Sequence, residues 1–241
     1  MKKKVIIIAV IAVLSATYNM SLAAVTPSGS IALANVSTKK AVAVKSTEQG
    51  SIEYAKKTTS NADGSIAYID ESWADPSTHN ERLDDYESVK GDMVRMQSCY
   101  VLDDESKYIK ASRTDKGSLT GDCFLGKDLG DILIAEKQDY INEYKKETRI
   151  KSWKEKGNVK TKDGRKLIKL SRAEKSTIPG DEGKTFIDTI YIDKDSGLPV
   201  KGNLHVKKNG KTSLLYTYVF EFKNVVDDGS IFDTKDIILK K

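Results

Sequence analysis

The residues YIDKDSGLPVK, at positions 191–201, contain the pattern that decides the fold. Residues 185–193 lead into this point as one strand segment, and residues 199–207 follow it with alternating apolar and polar side chains. The intervening Asp-Ser-Gly, at 195–197, forms turns readily, because Asp and Ser can bond their own backbone and Gly tolerates a positive φ. Two strand segments joined by such a turn predict an antiparallel β-hairpin.

The same pattern continues on both sides of this hairpin. Asp163-Gly164 lies between two alternating stretches, and Asn209-Gly210 separates residues 199–207 from the alternating stretch 212–222. Both dipeptides are preferred corners of two-residue hairpins. The chain from residue 158 onward is therefore predicted to form an antiparallel meander.

Upstream, one segment has a different period from the rest. Alternating stretches between residues 51 and 112 predict further strands, so that about eight to ten follow in series. Between residues 127 and 148, apolar side chains instead recur at steps of three and four, which is typical of an amphipathic helix. The sequence therefore predicts an α+β fold, in which a mostly antiparallel, curved sheet wraps one main helix.

A ligand-binding cavity is predicted between this helix and the strand at 212–222. Alternate side chains of that strand share one face, and the wrapped helix would turn its apolar stripe toward them. The alternative is that the same side chains fill an ordinary core. The six residues expected to line the cavity are Leu129, Leu133, Tyr140, Tyr216, Tyr218 and Phe220.

Residues 1–23 have the composition of a secretory signal peptide. A lysine-rich start precedes the apolar run VIIIAVIAVL at 5–14, and small residues stand at Ser21 and Ala23. We predict cleavage after Ala23, with anchoring by an uncleaved segment as the alternative. No cysteine lies near Ala23, so the lipid attachment used by bacterial lipoproteins is not available.

Cleavage at this site would define the domain organisation and the charge of the mature chain. It would leave a flexible lead-in at residues 24–50, rich in small and polar residues, and a single β-rich domain at 51–241. The formal net charge would fall from +5 to +2, because Lys2, Lys3 and Lys4 are removed without any acid. A nearly balanced charge gives no electrostatic case for binding nucleic acid.

The chain has two cysteines, Cys99 and Cys123. Exported proteins meet an oxidising environment in which disulfides form and persist. We therefore predict a Cys99–Cys123 disulfide, with two reduced thiols as the alternative.

The sequence contains no assembled catalytic or metal-binding motif. His79 lies in a turn-rich loop and His205 on the lysine-rich face of its strand, so both are predicted to be solvated. Two histidines and two cysteines far apart do not make the four-ligand cluster of a structural zinc site. We predict a non-enzymatic protein with no catalytic residue, no metal site and no cofactor.

Four segments resemble the LolA-like lipoprotein-carrier family. In residues 191–201 a strand ending in Asp leads through Gly-Leu-Pro into the next strand, and residues 218–225 are an aromatic strand ending in Asn-Val. Ile231-Phe232 resembles the terminal aromatic position of the family. Residues 73–86, where WADP is followed by an arginine and a tyrosine, resemble its earlier strand pair. The resemblance covers residues 51–235.

This resemblance implies a half-open β-barrel closed by helices around a hydrophobic cavity. Members of the family carry lipoprotein acyl chains, sense envelope stress or, as spore-germination lipoproteins, bind a cell-wall amidase. This sequence departs from the pattern in two ways. It lacks the long amphipathic helix that precedes the first strand, and it lacks the lipobox cysteine of the germination branch.

We therefore expect an exported, non-enzymatic binding protein. Its ligand would be a lipid or acyl chain, or it would dock on a cell-envelope or cell-wall protein. One alternative is an interaction domain with a filled core that regulates a cell-wall enzyme. An unrecognised hydrolase is the alternative from another functional class.

Overall fold

The computed structural model describes residues 51–103, 106–125 and 153–240. These residues form a single sheet of twelve strands. The strands are β1 (Ser51–Asn61), β2 (Ile66–Ala74), β3 (Glu81–Val89), β4 (Asp92–Leu102), β5 (Lys107–Arg113), β6 (Leu119–Leu125), β7 (Lys154–Lys160), β8 (Lys166–Lys175), β9 (Thr185–Asp193), β10 (Pro199–Lys208), β11 (Lys211–Val226) and β12 (Ile237–Leu239). All twelve belong to one compact unit, to which Thr177–Glu182, between β8 and β9, does not belong.

The strand order is β12-β6-β5-β4-β3-β2-β1-β11-β10-β9-β8-β7. Two antiparallel meanders, β1 to β6 and β7 to β11, are joined side by side because β1 pairs with β11 along its whole length. The last strand, β12, is the exception to the antiparallel pattern. It crosses to the far edge of the first meander and pairs in parallel with β6.

The hairpin predicted around residues 191–201 is confirmed. The Asp193 carboxylate accepts hydrogen bonds from the backbone N–H groups of Asp195 (3.0 Å) and Ser196 (2.9 Å). These bonds hold the pKa of Asp193 below its usual range. Gly197 follows with a φ of 74°, a conformation that side chains with a Cβ adopt rarely. The turn is therefore built by the residues that predicted it.

The predicted fold class is wrong. The described residues contain no helix, and they form an open sheet with edges at β12 and β7 rather than a half-open barrel around a helix. Within each meander successive strands are antiparallel neighbours, and the β1–β11 pairing makes the two meanders continuous, so the described part of the chain is all β. The helix predicted at 127–148 lies outside the described residues. Within the described ranges, no helix has the length and apolar character needed to cross a membrane.

Successive side chains of each strand point to opposite sides, so the sheet has two faces, the tyrosine face and the strap face. The tyrosine face carries Tyr216, Tyr218 and Phe220 of β11 and their cross-strand neighbours. The strap face carries Arg82 and Asp84 of β3 and their cross-strand neighbours. The strap is residues 227–236, which lead from β11 to β12.

The strap is fastened to the strap face by two arginines. Arg82 donates a hydrogen bond from Nη1 to the backbone oxygen of Ile231 (2.7 Å), and Arg95 forms an ion pair with Asp236. Phe232 packs against an apolar cluster of β4, β5, β6 and β12. The cluster consists of Tyr100, Leu102, Ile109, Ala111, Leu119 and Ile237. Ile231-Phe232 and the arginine that follows WADP, both noted for their family resemblance, are thus in contact.

Asp84 bonds both of the arginines that contact the strap. Its side chain is fully buried, and its Oδ2 accepts hydrogen bonds from Arg82 Nη2 (2.5 Å), Arg95 Nη1 (3.3 Å) and the Tyr86 hydroxyl (3.3 Å). The Arg82 guanidinium also lies 4.8 Å from the centre of the Trp73 ring. The buried carboxylate of Asp84 therefore positions the two arginines that bind the strap.

The predicted Cys99–Cys123 disulfide is wrong, because both thiols are free. Cys99 pairs in register with Lys110 of β5, whereas Cys123 pairs with the neighbouring Ile109, so the two cysteines lie on opposite faces with β5 between them. Two strand spacings are about 9–10 Å. A disulfide requires Cα atoms within roughly 4.4–6.8 Å of each other.

Candidate binding face

Three of the six predicted cavity residues lie side by side on the tyrosine face. Tyr218 and Phe220 are buried, and Tyr216 is half-buried. On β1, Asn61 lies opposite Tyr216, Thr59 lies opposite Tyr218, and Lys57 lies opposite Phe220. The other three, Leu129, Leu133 and Tyr140, lie outside the described residues. The structure therefore describes the three predicted cavity residues that lie on the strand, and these three share one face of the sheet.

The Tyr218 ring packs over β10 at a glycine. Gly202 is its cross-strand partner, and a Cβ at this position would lie 2.9 Å from Tyr218 Cδ2 and 2.6 Å from the backbone oxygen of Thr189. Both distances are shorter than any normal contact. The absence of a side chain at Gly202 thus sets the position of the ring.

The Tyr218 hydroxyl is buried and has no hydrogen-bond partner within the described ranges. The residue is 6% exposed. Burial is the main cause that raises the pKa of this phenol, and the nearby negative charge of Asp188 adds to it. A buried hydroxyl without a partner costs about 1–3 kcal/mol relative to one that is bonded. Tyr218 therefore contributes a buried polar group that is not satisfied by any described residue.

Two ion pairs flank Tyr218 on the same face. Lys57 Nζ lies 3.1 Å from Asp70 Oδ2 and 5.9 Å from the centre of the Tyr218 ring. On the other side, Arg172 Nη2 lies 3.4 Å from Asp188 Oδ2. The Arg172 guanidinium also lies 4.6 Å from the centre of the buried Trp153 ring. The tyrosine face therefore carries charged groups beside its aromatic rings.

Asp85 adds a carboxylate that has no ion pair or hydrogen bond with any described residue. It is half-buried and lies directly opposite Asp70 of β2 and Gln97 of β4. Burial raises the pKa of Asp85 to about 7, and the negative charge of Asp70 contributes next. The sequence did not reveal this group, because its significance depends on the register of three strands.

Two further tyrosine-face residues form an aromatic corner beside these carboxylates. The rings of Tyr68 and Tyr216 are 6.2 Å apart and meet edge to face at 70°. Tyr68 precedes Asp70 by two positions on β2, and its cross-strand partner on β3 is Glu87. Carboxylates and ring edges thus share one region of the face.

Replacement of Asp85 by asparagine should stabilise the protein at high pH. The folded pKa of about 7 lies above the ordinary value of 3.8, so the folded state binds more protons between these values and its stability falls as the pH rises. We expect Asp85→Asn to raise the free energy of unfolding by about 1–2 kcal/mol at pH 8, after allowance for partial exposure, and to change it little at pH 4.

Urea denaturation at both pH values measures this difference. Asp92→Asn, at an exposed position at the start of β4, serves as the control and should show no such pH dependence. Equal effects of Asp85→Asn at pH 4 and pH 8 would contradict a raised pKa for Asp85 in the folded protein.

The histidines are remote from this face. His79 is exposed in the loop before β3 with a φ of 54°, and His205 is half-buried on the strap face of β10. In the part of the chain that the structure describes, no three His, Cys, Asp or Glu side chains are grouped so that they could hold a metal ion.

No protein-family model matches the sequence, and no curated protein matches it. Among solved structures, MucB in complex with MucA(peri) is 15% identical, with a TM-score of 0.36, and the match covers 77% of this chain and 55% of that chain. PNGF-II is 13% identical, with a TM-score of 0.34, and the match covers 79% of this chain and 32% of that chain.

A beta-barrel-like protein of the domain of unknown function DUF1849 from Brucella abortus is 9% identical, with a TM-score of 0.24. That match covers 74% of this chain and 98% of the other. This chain thus spans about half of the MucB chain and about a third of the PNGF-II chain. At these TM-scores the similarities support no statement about function.

Proposed function

We propose that this protein is an exported, non-enzymatic binding protein that docks on a polar segment of a cell-envelope protein through its tyrosine face. The observation that carries the proposal is the composition of that face. Two ion pairs, a carboxylate with no ion pair among the described residues and a buried phenol hydroxyl lie among the aromatic side chains. Tyrosine, tryptophan and arginine, which this face combines, are enriched at protein interfaces.

The same composition disfavours an acyl chain as the ligand. A hydrocarbon on this face would remove the Lys57–Asp70 and Arg172–Asp188 pairs from water without offering them a hydrogen bond. Such desolvation costs several kcal/mol per ion in protein interiors. A polypeptide segment, by contrast, has donors and acceptors that can satisfy these groups and the Tyr218 hydroxyl.

Export belongs to the proposal because a cell-envelope partner requires it. The lysine-rich start, the apolar run and the small residues at 21 and 23 support cleavage after Ala23. Amino-terminal sequencing of the mature protein should therefore begin at Ala24, and a membrane-bound product beginning at Met1 would contradict it.

Site-specific photo-crosslinking tests the docking face. We expect p-benzoylphenylalanine at position 216, on the tyrosine face, to crosslink to a protein in cells that export the chain. The control is the same residue at position 219, which lies on the opposite face of β11 and is 59% exposed in the native protein. Equal yields at the two positions, or crosslinks at 216 to lipid alone, would contradict the proposal.

The Tyr218 hydroxyl provides a test that separates binding from stability. Tyr218→Phe removes a buried group that has no described partner, so the free energy of unfolding should stay the same or rise by about 1 kcal/mol. The yield of the position-216 crosslink should nevertheless fall. A variant that is destabilised by more than about 1 kcal/mol would show that the hydroxyl has a structural partner instead.

A further inference from the structure

We propose that the strap occupies a docking site for a partner protein, and that an extended segment of the partner displaces the strap and pairs with β6. The segment that fits carries an aromatic side chain followed, four residues later, by a carboxylate. The docking site lies on the strap face and at the β6 edge of the sheet. It is therefore independent of the tyrosine face and goes beyond the proposed function.

The strap contacts the sheet in the way that a bound peptide does. The backbone oxygen of Ile231 accepts a hydrogen bond from Arg82, the Phe232 ring packs against the apolar cluster, and Asp236 forms an ion pair with Arg95. The strand that follows then pairs with β6 through its main chain. Main-chain pairing with a sheet edge, combined with anchoring side chains, is a recurring mode of peptide recognition. The strap thus shows what chemistry this site binds.

The strap and β12 are held by few buried side chains. Between residues 227 and 240 only Ile237 is buried, and its neighbours Ile238 and Leu239 are exposed. The Asp236 side chain is 51% exposed, and ion pairs at such exposed positions contribute little to stability. Segments with few buried apolar contacts open at a lower free-energy cost than the rest of a domain. The strap is therefore the part of this sheet that a competing segment can replace.

The closed strap leaves two buried polar atoms without a hydrogen-bond partner among the described residues. These atoms are Asp84 Oδ1 and Ser98 Oγ, and both side chains are fully buried. Ser98 lies opposite Asp84 on β3 and opposite Ala111 on β5, and Ala111 belongs to the cluster against which Phe232 packs. A buried polar group without a partner disfavours the state that buries it. A partner segment that offers these two atoms a hydrogen bond therefore gains stability that the strap does not.

The β6 edge is longer than β12 needs. β12 pairs with Leu119–Gly121, whereas β6 continues to Leu125. No described strand lies beside the remaining part of this edge, at residues 122–125, and the apolar side chains of Phe124 and Leu125 are exposed there. An open strand edge pairs readily with an extended chain. A partner segment that pairs with all of β6 forms more main-chain hydrogen bonds than β12 does, which identifies the occupant as an extended polypeptide.

A fluorescent synthetic peptide with the sequence of residues 230–240 tests the proposal, with its binding to the full-length protein followed by fluorescence anisotropy. We expect Phe232→Ala to bind the peptide at least about tenfold more tightly than the wild type, because its own strap occupies the site less and the peptide supplies the missing phenylalanine. Asp236→Asn, which removes only the ion pair with Arg95, should bind it about threefold more tightly. Asp233→Asn is the matched control and should bind like the wild type, since the Asp233 carboxylate bonds Lys235 within the strap itself.

Crosslinking locates the bound peptide. With p-benzoylphenylalanine in place of its phenylalanine, the peptide should crosslink to β4, β5 or β6, whose side chains form the cluster around Phe232. No binding to any variant up to the solubility limit, equal affinity for the strap variants and the Asp233→Asn control, or crosslinks confined to β7–β10 would each overturn the proposal. If Phe232→Ala does not fold, the comparison of Asp236→Asn with Asp233→Asn decides. The position-216 crosslink reports on the tyrosine face, so the two proposals fail separately.

Discussion

Asp84→Asn should lower the free energy of unfolding by about 3–5 kcal/mol, because it leaves two buried or half-buried arginines without their carboxylate. The Asp84 side chain is fully buried and bonds both Arg82 and Arg95. These arginines hold Ile231 and Asp236 of the strap. We therefore expect urea denaturation to show a lower midpoint and hydrogen exchange to show loss of protection at β12.

Asp163→Asn is the matched control, because Asp163 also pairs with an arginine but does so in solvent. The Arg165–Asp163 distance is 2.8 Å and both side chains are about half exposed. Exposed pairs contribute about 0–1 kcal/mol, so little change is expected. Similar losses for the two variants would show that burial of Asp84 is not what makes its ion pairs important.

Gly202→Ala should destabilise the protein by about 2–3 kcal/mol and disturb the tyrosine face. The added Cβ would lie 2.6 Å from the Thr189 backbone oxygen, which cannot move without β9, and 2.9 Å from the Tyr218 ring. The ring must therefore leave its position. Thermal denaturation measures the loss of stability, and the position-216 crosslink should weaken at temperatures where the variant is folded.

Asn203→Ala provides the comparison for this variant. Asn203 is the next residue of β10, points to the opposite face and brings no new Cβ, so its substitution should change stability by less than about 0.5 kcal/mol. A Gly202→Ala variant as stable as Asn203→Ala would mean that the sheet accommodates a side chain at position 202, and that the glycine does not set the position of Tyr218.

The parts of the fold that could be predicted are those determined by neighbouring residues. The hairpins at Asp163-Gly164, 191–201 and Asn209-Gly210 follow from local turn chemistry, and each is present. The β1–β11 pairing and the crossing of the strap to β6 join residues far apart in sequence. No local pattern fixes such a register, which is why the single open sheet was not predicted.

At the candidate site, too, features set by neighbouring residues could be predicted, and features set by the pairing of distant strands could not. Alternation along β11 placed Tyr216, Tyr218 and Phe220 on one face, because strand periodicity is local. The charged groups of that face could not be predicted in the same way, since Lys57, Asp70 and Asp85 join it through pairings between three strands. The disulfide was predicted from the cellular compartment alone, which says nothing about the strand that separates the two cysteines.

Native mass spectrometry of the mature protein, purified without detergent, decides most directly whether the tyrosine face serves a polar partner or an acyl chain. Because charged and hydrogen-bonding groups occupy this face, we predict the mass of the polypeptide from Ala24 with no lipid bound, before and after incubation with a fatty acid. A stoichiometric lipid adduct that Gly202→Ala or Tyr218→Phe removes would contradict the docking proposal and assign the face to lipid transport.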